Sequence, residues 1–150
     1  MCVEIIEYPA TFARGIINKD FLLSSGFVDA SLFKGFEQST ERKDDFLELS
    51  INWIDCEDAL NHLLCARKDN GDIAYKCGAA IVDTSVLDRV KRMPACIGQF
   101  AYERYPIVGN DYHGNLLLKI SEDDPKKKLR DMIASTIALH CSKVETANPV

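Results

Sequence analysis

Residues Phe46 to Trp53 alternate strictly. Leu47, Leu49, Ile51 and Trp53 fall on one side, and Phe46, Glu48, Ser50 and Asn52 fall on the other. A period of two predicts a strand with one buried face. The pattern then changes period. From Cys56 to Arg67, Cys56, Ala59, Leu60, Leu63, Leu64 and Ala66 share one side of a helix that Asp55 would cap and Asn70-Gly71 would end. Ile73 to Val82 reads as a second strand, and its small residues Gly78, Ala79 and Ala80 predict a close approach by another element.

A further helix follows Asp83, Thr84 or Ser85, with an apolar stripe of Val86, Leu87, Val90 and Met93 and a stop at Pro94. Gln99–Val108 and Asn115–Ile120 are predicted strands, joined by the turn-rich Gly109-Asn110-Asp111-Tyr112-His113-Gly114. The last predicted element is a helix capped at Asp124, with Pro125 in its first turn, running to about Lys143. Its stripe is Leu129, Met132, Ile133, Thr136 and Ile137, with His140 in line.

The first 45 residues are less regular. Val3–Tyr8 and Thr11–Ile17 are candidate strands, and Pro9 stops the first. Asn18 can cap a short helix over Lys19–Leu23 that Gly26 ends, and Asp29 can cap a turn over Ala30–Phe36. Gln38–Asp45 is polar and reads as a surface loop. The expected fold is α+β: a single layered domain over residues 1–145, with a mixed sheet of about five strands and three main helices. Residues 146–150 are expected to form a flexible tail, since Asn148-Pro149 ends any helix.

The 150 residues are 47% hydrophobic and 27% charged, enough apolar surface for a core without metal or disulfide staples. The net charge of −5 argues against nucleic acid as a partner. Lys126-Lys127-Lys128 directly follows four residues that include three acids, as expected at a helix start. No run approaches the roughly 20 apolar residues that span a bilayer, so no membrane role is expected. The six cysteines lack C-x-x-C spacing, and the N-terminus has no basic and apolar leader. A cytoplasmic protein with free thiols is therefore expected. Neither G-x-G-x-x-G nor a P-loop is present, so no cofactor is implied, and no four-ligand set implies a metal.

Four groups of residues could carry chemistry. His113 lies in the turn between two strands, where a histidine can act as acid or base. Cys65 falls on the polar face of its helix, three residues from His62 and seven from Asp58, which makes it a candidate reactive thiol. In chain order, Arg14, Ser50 and Glu103 resemble the key residues of one class of ADP-ribosyltransferases. Ala101 stands where a second Glu or Gln would precede Glu103. The resemblance implies a transferase using these three residues; separately, a small enzyme centred on His113, with Arg14 or Glu103, is the alternative expectation. Tyr102, Arg104, Tyr105 and Tyr112 concentrate around the predicted hairpin, and such residues are enriched at protein interfaces. The leading expectation is a non-enzymatic binding or accessory protein acting through that surface on a protein partner or a second copy of itself.

Overall fold

The computed structural model describes residues 8–25, 27–39, 41–42, 44–119 and 126–146. The elements in chain order are β1 (Thr11–Gly15), β2 (Phe46–Trp53), α1 (Glu57–Leu64), β3 (Ala79–Asp83), α2 (Ser85–Arg92), β4 (Phe100–Arg104), β5 (His113–Lys119), α3 (Lys126–Leu139) and β6 (Cys141–Glu145). Among the described residues, the six strands form one sheet in the order β4-β5-β2-β1-β3-β6. Every pairing is antiparallel, so the α+β class stands while the sheet gains a strand and is not mixed.

One face of the sheet holds the main core. Leu49, Ile51 and Trp53 of β2 lie beside Phe12 of β1, Ala80 and Val82 of β3, and Leu116 and Leu118 of β5. Val86, Leu87 and Val90 of α2 pack onto this face, as do Ile133 and Ile137 of α3 and the Ala30–Phe33 turn. Each large apolar side chain buried here stabilises the fold by roughly 1.5–3 kcal/mol. Trp53 also reaches across β5. Its Nε1–H donates to the Glu103 carbonyl at 3.1 Å, and a Cβ on Gly114 would collide with the indole.

The opposite face is divided. Over β1 and β3, Leu63 and Leu64 of α1 pack on Ala13, Ala79 and Ile81 in a small second core. Helix α1 also touches β2, but its packing does not reach across β5 and β4. The register there puts Glu48, Ser50 and Asn52 opposite Leu117, Asn115 and His113, with Ala101 and Glu103 beyond them. That half-face is where the polar residues gather.

Several boundaries differ from the sequence reading. The final helix stops at Leu139. The His140 amide bonds back to the Ile137 carbonyl at 3.0 Å, and its ring Nδ1 lies 2.8 Å from the Thr136 carbonyl. Cys141–Glu145 then pairs with β3 as β6. The predicted strand Ile73–Val82 keeps only its end, because Gly78 turns the chain at φ 89°. The close approach expected at Gly78 is real: its missing Cβ would strike the Glu145 carbonyl of β6. Strand β4 is shorter than predicted and ends at Arg104, while β5 starts two residues earlier, so His113 belongs to β5 itself.

Asn18 and Asp29 cap their segments as expected. Each side-chain oxygen accepts an amide at 2.9 Å, although the segments are single 3₁₀ turns. Asp55 does not cap α1. Cys56 holds the N-cap position, and the Asp55 carboxylate turns to Arg104 instead. The candidate strand at Val3–Tyr8, apart from Tyr8, lies outside the described residues, as do Gly26, Ile120, Asp124, Pro125 and the tail beyond Thr146. No helix among the described residues is long and apolar enough to cross a membrane.

Candidate functional site

Strands β1 and β2 pair at Phe12↔Trp53 and Ala13↔Asn52, and their ladder goes no further. The Arg14 side chain occupies the place where they part. Its Nε–H donates to the Leu32 carbonyl at 2.7 Å, and its Nη1 donates to the Ser50 carbonyl at 2.6 Å. A guanidinium thus satisfies a strand carbonyl that the ladder leaves unpaired. Burial pulls Arg14 below the ordinary arginine value, and the charges of Tyr75 and Glu37 only partly oppose this. Among the described residues, no carboxylate lies within ion-pair distance of Arg14.

A cleft of about 280 Å³ opens at this split. Arg14, Ser50, Asn52, Tyr75, Asn110 and His113 line it, with Ile17, Ile51 and Ile107 as apolar wall. Tyr75 is held by shape, because its ring lies where a side chain at Gly15 would be. Asn110 is fixed by donating from Nδ2 to Asn52 Oδ1 at 2.7 Å, and its own Oδ1 accepts the Tyr112 amide at 3.1 Å. The ring of His113 bonds through Nδ1 to the Tyr105 carbonyl at 2.8 Å. A carbonyl can only accept, so Nδ1 carries the proton and Nε2 is the remaining nitrogen.

Of the residues whose order resembles a transferase site, Arg14 and Ser50 therefore meet His113 in one cleft. Glu103 does not line it. Its carboxylate is held by Arg42 and, at 3.0 Å, by Asn115 Nδ2. Arg42 also donates to Glu48 at 2.7 Å and to Asp44 at 2.6 Å. Burial works against the Arg42 charge. Hydrogen bonds to Glu48 and Asp44 and the nearby Glu103 charge more than offset it, holding the guanidinium above its ordinary value. The segment expected to be a plain surface loop is thus tied to the sheet by Arg42.

The residues expected at a protein interface separate into two groups. Tyr102 is half-buried: its hydroxyl donates to Asp88 at 2.8 Å, and its ring packs edge-on against Tyr8. Arg104 is committed to Asp55 through two hydrogen bonds of 3.0 and 2.5 Å. Tyr112 is half-buried with its ring against His62. Tyr105 is exposed, and beyond it Ile107 and Val108 are exposed as well. This 105–112 loop is ordered by reciprocal backbone bonds between Ile107 and Asn110 and by the Tyr105 amide on the His113 carbonyl.

Cys65 sits at the C-cap of α1, half-buried, and its amide bonds the Asn61 carbonyl. Cys65, Cys77, Cys96 and Cys141 are free, whereas Cys56 is in a disulfide, so the expectation of free thiols fails at Cys56. Among the described residues, no group of three or more His, Cys, Asp or Glu side chains could hold a metal ion.

Tyr75, Asn110 and Arg42 were not singled out from the sequence as site residues. The signal for Tyr75 was Gly15, a glycine inside a strand, which marks a close approach. No family profile, no curated protein and no solved structure matches this chain.

Proposed function

We propose that this chain works by binding, through the surface formed by the 105–112 loop and the cleft beside it. The observation that carries this reading is the tip of the loop. On a backbone already fixed by its own hydrogen bonds, Val108 is fully exposed at 105%, Ile107 is partly exposed at the cleft rim, and Tyr105 lies against Arg42 and His113 with one edge exposed. A rigid loop that shows apolar side chains loses little entropy on association. Exposed apolar groups beside a concavity are a common form of contact site. The partner in this reading is a protein or a second copy of the chain.

The test is the mass of the native assembly. Purified from its own cells, the chain should run above its 16.8 kDa monomer mass. Paired Ile107→Asp and Val108→Asp substitutions should return it to the monomer. A wild-type chain that runs as a monomer in its own cell extract removes the reading.

A second reading, a small enzyme centred on His113, is supported by the meeting of Arg14, Ser50 and His113 in one cleft. Glu103, an optional partner in this reading, is held by Arg42 and does not line the cleft, which weakens its support. A cytoplasmic setting suits the four free thiols, while the disulfide at Cys56 suits an oxidising one.

A further inference from the structure

We propose that the cleft at the β1–β2 split is a binding site for one carboxylate or phosphate group carried on a short apolar body. The proposal concerns only the cleft half of the surface named above, and it needs no protein partner.

The first argument is charge. An arginine stays protonated in proteins and presents five N–H donors. Arg14 spends its Nε–H and Nη1 on two neutral carbonyls. Its Nη2 makes no hydrogen bond among the described residues, and it is not among the buried atoms left without a partner, so it reaches solvent. Arg42 and Arg104 behave differently, each holding carboxylates. Among the described residues no acid lines this cleft, and Glu37 is the one carboxylate whose charge is felt at Arg14. A half-buried cation facing a cavity with no acid in its wall is the arrangement an anion completes.

The second argument is the supply of further donors. His113 gives its Nδ1–H to the Tyr105 carbonyl, and its Nε2 has no hydrogen-bond partner among the described residues; that nitrogen donates to an anion only from the doubly protonated ring. The Tyr75 hydroxyl likewise has none, so as a phenol it can donate into the cleft. Arg14, His113 and Tyr75 come from β1, β5 and the loop before β3, and all three line one cleft.

The third argument is size and the rest of the wall. About 280 Å³ lies just under the roughly 300–1,000 Å³ of drug-sized sites, which excludes a dinucleotide and suits a small organic acid or phosphate ester. Ile17 and Ile107 are exposed at its rim, so the body of the ligand meets hydrocarbon while its charged end meets Arg14.

The experiment titrates the whole, isotope-labelled chain with inorganic phosphate and, separately, with butyrate, at ionic strength held constant with chloride. Nuclear magnetic resonance reads the Arg14 Nε–H and the His113 ring. At least one probe should give saturable shifts at both, and the tighter one identifies the anionic group. Arg14→Gln should weaken binding about tenfold, the loss of one charge-assisted contact. Tyr75→Phe and His113→Gln should each weaken it severalfold with the amide spectrum preserved. If Arg14→Gln fails to fold, those two variants decide the matter. Shifts that never saturate, or that are unchanged in Tyr75→Phe and His113→Gln, overturn the proposal. Either result leaves the loop reading to its own mass measurement.

Discussion

Arg104 of β4 clasps the carboxylate of Asp55, a side chain with 0% exposure, through two N–H···O bonds. The pair fastens the start of α1 to the sheet strand two places away from β2. Removing Arg104 takes the recorded cation from the fully buried Asp55 carboxylate, and removing Asp55 takes the bidentate acceptor from Arg104. Asp55→Ala and Arg104→Ala are each predicted to cost about 3 kcal/mol. The double variant Asp55→Leu with Arg104→Met should lose much less than the sum. Urea unfolding of the four proteins measures this, and strict additivity would show that the pair is not coupled.

Asn115 is buried between two acids. Its Nδ2 donates to Glu48 at 3.3 Å and to Glu103 at 3.0 Å. Asn115→Asp replaces that donor with a third carboxylate, leaving Arg42 as the one cation paired with the cluster among the described residues. The predicted loss is about 3 kcal/mol near neutral pH. Stability of the variant should recover relative to wild type as acid protonates the cluster, which thermal melts across pH would show.

Gly78 stands at φ 89° with the Glu145 carbonyl where a side chain would begin. Gly78→Ala should cost about 2 kcal/mol from backbone strain alone. The collision should also loosen β6 selectively. Hydrogen exchange should quicken at the amides pairing β6 with β3 and stay slow in β2 and β5.

Burial raises the thiols of Cys96 and Cys141 above the ordinary thiol value, and at Cys141 hydrogen bonding only partly opposes this. A thiol reagent should therefore reach the half-buried Cys65 and Cys77 well before Cys96 and Cys141. The sign for stability follows from proton binding. Raised folded-state values mean that the unfolded chain ionises first, so their contribution is full below about pH 9 and declines as pH rises beyond it. Alkaline melts should show this decline, and equal labelling of all four thiols would contradict the burial.

Strands β1, β2, β4 and β5, the first two helices and the α+β class were legible because period and register agree. Leu49, Ile51 and Trp53 face the core as their alternation requires. The end of the chain was not legible. Cys141–Glu145 continues a helical pattern by itself, and only the open edge of β3 makes it a strand, a tertiary choice that propensity does not encode. At the site, His113 and Arg14 were visible as residue types, but their meeting was not. It depends on β1 and β2 parting after Ala13 and Asn52, and on a ring of Tyr75 over Gly15. Glu103 looked available as an acid only because Arg42, 61 residues earlier, could not be placed against it.

The most direct test of the binding surface places a photo-crosslinking side chain at Val108 and, in a separate protein, at Leu139. Leu139 is also exposed, at 82%, but lies away from the cleft on α3. In native extract, the probe at residue 108 should give a discrete adduct that Tyr105→Ala weakens, and the probe at residue 139 should give none. An adduct from residue 139 with silence at residue 108 would contradict the account.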